Sequence, residues 1–178
     1  MGRESDPDIQ SLVESYIAPH LPGATVEVSF SQRWQRPMVV VRWEGFETLL
    51  AEQRFRRLLA CIPADVFERN LAGLIWFELA AGESIDDYVN MPRSDDVAER
   101  REELVALMRD RALLAGLQAS LGDDPLDGCG GGFDLTRAVL KDAGVPQPDI
   151  EAACLCLIGL GAYCDCQVIL GEAREALE

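Results

Sequence analysis

The stretch Tyr163-Cys164-Asp165-Cys166 carries the residue types in this chain best suited to chemistry. Two thiols one residue apart can be soft ligands for a metal ion, a redox pair, or two small residues in a core. They are too close for a relaxed disulfide. A reactive thiolate usually has positive charge beside it, whereas these cysteines sit among Asp165, Glu151 and Glu172. Packing residue and metal ligand therefore remain the two leading readings. Read as a β-rich segment, 163–170 places Cys164 and Cys166 on one face and turns Asp165 to solvent. Cys154 and Cys156 lie in an apolar helical run and read as packing.

A second concentration of chemistry is cationic. The chain has net charge −15, yet residues 31–60 hold six arginines against three glutamates. Arg33, Arg36, Arg54, Arg56 and Arg57 are candidate phosphate or ligand contacts, with Trp34 and Trp43 as stacking surfaces. The plainer reading is a solvated arginine-rich face. The overall charge repels nucleic acid and anionic membrane, so neither is the expected partner. His20, the one histidine, lies near Pro19 and Pro22 and reads as a surface residue.

Other chemistries find no footing. The chain has no Gly-x-Ser-x-Gly elbow, no P-loop and no His-Glu-x-x-His. The CGGGF stretch at 129–133 lacks the lysine of a phosphate-binding loop. The acidic pairs Asp86-Asp87 and Asp123-Asp124 fall in polar turns. No residue is assigned a catalytic role. A non-catalytic interaction or regulatory module, with another protein as partner, is the first functional expectation.

The elements that must position these residues suggest two domains, 1–88 and 97–178, joined by a linker at 89–96 within the polar stretch 82–96. Residues 8–19 have helical spacing in Ile9, Leu12, Val13, Tyr16 and Ile17. Residues 24–30 alternate and 38–43 are β-branched, which predicts an antiparallel hairpin. An amphipathic helix over 46–60, a short helix opened by Pro63 and a buried strand over 74–80 follow. The fold class is thus α+β: a small α-β-β-α-α-β domain, then a mainly helical domain with a short β segment. In the latter, 97–121 reads as one long helix capped by Asp95 or Asp96. Residues 135–161 resemble a helix-turn-helix with Gly144 in the turn and a wing-like strand after it. Asp149 and Glu151 make that unit unsuited to DNA. No run of about 18 apolar residues occurs, and MGRESDPDIQ does not read as an export signal. A cytoplasmic protein with reduced thiols is expected.

Two family resemblances sharpen these readings. Phe46-Glu47 followed by Arg54-Phe55-Arg56, with Ala72-Gly73 entering the last strand and Gly82-Glu83-Ser84 after it, resembles the BolA family over residues 8–88. The resemblance implies a KH-like α+β fold. The family's iron–sulfur histidine positions are Phe55 and Ile75 here, so the resemblance implies no cluster. There is also no GXXG loop between helices for a KH phosphate clamp.

Gly161-Ala162-Tyr163-Cys164-Asp165-Cys166-Gln167-Val168 resembles the ending of a bacterial domain family of unknown function. Its upstream Cys-Asp-His-Thr phrase and Thr-Arg pair match Cys129 and Thr136-Arg137. Cysteines and histidine in that pattern would suit tetrahedral zinc or iron. Gly131 stands at the histidine position. The resemblance therefore leaves Cys129, Cys164 and Cys166 as the candidate metal ligands and zinc as the implied cofactor. Asp127 and Cys156 are the remaining possibilities for a fourth ligand.

Overall fold

A computed structural model describes residues 7–178. The first six residues of the stretch read as lacking an export signal lie outside the described residues. The fold is α+β, and it divides into two compact units that part between Met91 and Pro92.

In the first unit, α1 (Pro7–Ile17) precedes β1 (Thr25–Ser31) and β2 (Arg36–Arg42). The strands form the expected hairpin, with Val26 opposite Val41 and Val28 opposite Val39. α2 (Ala51–Leu59) and α3 (Ala64–Val66) lead to β3 (Ile75–Leu79), which pairs parallel to β2. The sheet order is β1-β2-β3. The continuous Val39-Val40-Val41 run belongs to a strand covered on both faces. Val39 and Val41 join Val13, Ile17, Phe46 and Leu58 in one core cluster. Val40 joins Phe77, Leu79 and Tyr88 in another.

Part of the polar stretch 82–96 is itself helical. α4 (Ile85–Val89) starts at a capping box: Asp87 N–H donates to Ser84 Oγ at 3.1 Å and Ser84 N–H donates to Asp87 Oδ2 at 3.0 Å. Tyr88 from this helix covers the second face of the sheet.

The second unit begins with a 3₁₀ turn, Ser94–Arg100, running into α5 (Arg101–Asp110). The single helix expected over 97–121 is broken. Ala112 adopts left-handed φ of 50° and α6 (Leu113–Leu121) starts after it. The buried residues explain the break. Leu104 and Met108 are four apart, and Leu113, Leu117 and Leu121 are four apart, but Met108 and Leu113 are separated by five. In an unbroken helix that step would rotate Leu113 by about 140° from Met108. The kink returns it to the core. α7 (Asp134–Asp142) and α8 (Gln147–Gly159) follow, and α8 is buried from Ala152 through Ile158. Gly116 lets α6 approach α7: a Cβ there would lie 2.5 Å from Val139 Cγ1.

The expected β segment over 163–170 is instead helix α9 (Asp165–Leu170), followed by α10 (Ala173–Leu177). Gln167 favours this start by accepting the Tyr163 N–H through its side-chain oxygen at 2.8 Å. Asp165 stands at the helix entry, where a carboxylate suits the dipole.

Candidate metal centre

Cys129 sits in the glycine-rich loop between α6 and α7, Cys164 caps α9, and Cys166 lies in its first turn. The three sulfur atoms all lie within 4.8 Å of one another. The Cys164 and Cys166 sulfurs are 3.3 Å apart. No other group of three or more His, Cys, Asp or Glu converges in this way among the described residues. Four sulfurs around zinc at about 2.3 Å would be spaced by about 3.8 Å, so small adjustments bring these thiols to a common ion.

The residue between Cys164 and Cys166 ties these segments together. Asp165 is 2% exposed and does not face solvent. A strand would have turned it outward; the helix turns it toward α7. Its Oδ1 accepts the Thr136 N–H at 2.9 Å and the Thr136 hydroxyl at 2.7 Å, while Oδ2 accepts the Leu135 N–H at 3.0 Å. Asp165 thus satisfies open N–H groups at the start of α7 from outside that helix. Its own N–H donates to Gly132 O at 2.9 Å. These bonds stitch the Cys129 loop to the Cys164–Cys166 segment. Arg137, next to Thr136, ties α7 to α8 through paired bonds to Glu151 at 3.0 Å each. Sequence reasoning had no hold on the role of Asp165; the Thr136-Arg137 pair was the available signal.

The thiols are electrostatically unequal. Burial raises Cys129, but backbone N–H groups of Cys166 and Gly131, with the Cys166 and Cys164 thiols, outweigh it and bring the group below its ordinary value. Burial pushes Cys164 up to about 12 and also raises Cys166. Three thiolates this close would repel one another, and a divalent cation among them would offset most of that cost while favouring their deprotonation. Burial also pushes the Asp165 carboxyl up, against the lowering effect of its Thr136 and Leu135 donors.

Asp127 and Cys156 do not belong to the group. Cys156 lines a separate cavity of about 150 Å³ beside Val97 and Arg101. Cys154 is fully buried, and burial raises its thiol to about 12.

The arginine concentration does not form one patch. Arg33 and Arg36 are exposed near the hairpin tip; Arg33 lies over Trp34 at 5.3 Å. Trp34, Arg36 and Ile75 line a shallow hollow of about 360 Å³. Arg57 lies over Trp43, at the other end of β2, about 20 Å away by strand rise. Arg56 is exposed on α2. Arg54 is 2% exposed and committed inward: its guanidinium donates to Leu49 O at 2.7 Å, to Glu78 O at 3.0 Å and to the Glu83 carboxylate. It is a structural lock, which corrects its reading as a ligand contact.

Comparison with known protein families, characterised proteins and solved structures finds no match for this chain. Among the described residues, no helix is long and apolar enough to cross a membrane.

Proposed function

We propose that the second unit is a metal-binding module in which Cys129, Cys164 and Cys166 hold a soft divalent ion, with zinc the first choice over iron. The observation that carries this reading is the convergence of three thiols within 4.8 Å. Thiolates select zinc and other soft or borderline ions over hard cations. The chain's other parts support a non-catalytic role for the ion. Asp165 is engaged with Thr136 and Leu135, and the site's neighbours tie helices together. In this reading the ion fixes the start of α7 and α9 in a cytoplasmic interaction or regulatory protein whose first unit has a BolA-like shape.

The test is elemental analysis of full-length protein purified without chelator, wild type against Cys164→Ser/Cys166→Ser. The expected result is about one zinc or iron per chain, lost in the double variant. Metal-free wild type that takes up neither zinc nor cobalt on titration would overturn it.

A further inference from the structure

We infer that the metal held by these cysteines keeps one coordination position open to an external donor, and that this donor is the thiol of a small molecule or peptide. The inference rests on the metal-binding reading above. A four-coordinate ion finds three sulfurs here. Among the described residues, no fourth histidine, cysteine or carboxylate joins the group. Asp165 is adjacent in sequence to two of the ligands, but its carboxylate is turned into α7.

Access to the missing position follows from exposure and from the loop. Cys129 and Cys164 are half-buried and only Cys166 is buried, so the group lies at the surface of its unit. The loop beside it runs Gly128-Cys129-Gly130-Gly131-Gly132. A Cβ at Gly130 would meet nothing closer than Asp134 Oδ2, at 3.9 Å. The loop therefore places no side chain of its own, apart from Cys129, over the sulfurs. Four protein ligands leave a tetrahedral ion no vacant position; three leave one for water or another donor, while still tying the ligating segments together.

The class of donor follows from charge and softness. Three thiolates on a divalent ion already carry a net −1, in a chain of net charge −15. Carboxylates and phosphates are hard anions and are disfavoured by softness; they must also approach an already negative site as charged species. A thiol arrives neutral and is soft. On binding, metal-bound water leaves, a metal–sulfur bond forms, and the S–H proton passes to solvent; no electrons are exchanged. The bound sulfur is then held as thiolate at neutral pH.

Cobalt(II) replaces zinc for the test, because its thiolate charge-transfer absorption reports the number of bound sulfurs. The Co(II)-loaded full-length protein is titrated with 2-mercaptoethanol, and in parallel with ethylene glycol and with imidazole. The expected result is a saturable rise of about a third in the thiolate band, three sulfurs becoming four, with 2-mercaptoethanol only. A spectrum unmoved by thiol means a closed site and overturns the inference while leaving metal binding intact. A response to imidazole but not to thiol overturns the assignment of the donor. If no cobalt–thiolate band develops at all, both the metal reading and this inference fall.

Discussion

Asp165 and Thr136 are joined by two hydrogen bonds to one carboxylate oxygen, from the Thr136 N–H at 2.9 Å and its hydroxyl at 2.7 Å. The pair connects the peptide between two candidate metal ligands to the first turn of α7. Geometry at the sulfurs and stability of the helix are therefore one property.

Asp165→Ala leaves the Leu135 and Thr136 N–H groups without their acceptor in a buried setting. The expected cost is about 2–3 kcal/mol in urea denaturation of the metal-free protein. Thr136→Val, which removes only the hydroxyl, should cost about 1 kcal/mol. Metal uptake by Asp165→Ala, measured by competition with a chromophoric chelator, should weaken as well. An unchanged denaturation midpoint in Asp165→Ala would show that water replaces the carboxylate without loss.

Arg54→Ala should cost about 3 kcal/mol, because it leaves the Glu83 carboxylate with only the Ala80 N–H and no cation where the two side chains are 3% and 15% exposed. Arg33→Ala and Arg36→Ala, on the exposed hairpin tip, should each change stability by less than about 0.5 kcal/mol. Denaturation midpoints of the three variants check the contrast. Equal effects would contradict the separation of a buried lock from solvated arginines.

Cys154 gives a pH dependence with a definite sign. Its thiol rises from an ordinary 9.0 to about 12 in the folded protein. The unfolded chain therefore loses this proton first as pH rises. The stabilisation is fully present below about pH 9 and is lost progressively between 9 and 12. At pH 10.5 the loss is about 2 kcal/mol relative to pH 8. Other groups titrate there too, so the measure is the difference between wild type and Cys154→Ala, which should fall less steeply. Parallel pH profiles would contradict the burial of this thiol.

Ala112→Gly should stabilise the second unit. Left-handed backbone costs a residue with a Cβ about 1–2 kcal/mol, while glycine's extra freedom in the unfolded chain offsets about 0.5–1 kcal/mol. The expected gain is about 0.5–1 kcal/mol by urea denaturation. A loss of stability would mean that the break between α5 and α6 is not held at Ala112 with positive φ.

The parts of the fold that were legible in sequence are those in which side-chain period and backbone agree. The alternation of 24–30 and the β-branched run at 38–43 become a hairpin because both demand extended backbone. The juxtaposition of Cys129 with Cys164 and Cys166 was expected only by way of a resemblance; nothing in their spacing along the chain implies it. Three features were hidden for physical reasons. Asp165 is a charged residue between two thiols, and only the helical entry of α9 turns it inward. Arg54 has the polarity of a surface residue, and its burial depends on acceptors from β3 and the turn after it. Ala112 is a strong helix former, and only the five-residue step from Met108 to Leu113 reveals a break there.

The contact from Arg54 to Glu78 O has a bearing on self-association. Leu79 O accepts the Trp43 N–H, so it points toward β2. The Glu78 carbonyl, one residue earlier, points to the opposite, unpaired margin of β3. A guanidinium planted on that carbonyl occupies an acceptor that an incoming strand would need. Exposed sheet margins invite fibrous pairing between copies, and inward-facing charge is a common guard against it. The buried arginine thus closes that margin from within the first unit, leaving the Glu78 carbonyl no free acceptor for another strand.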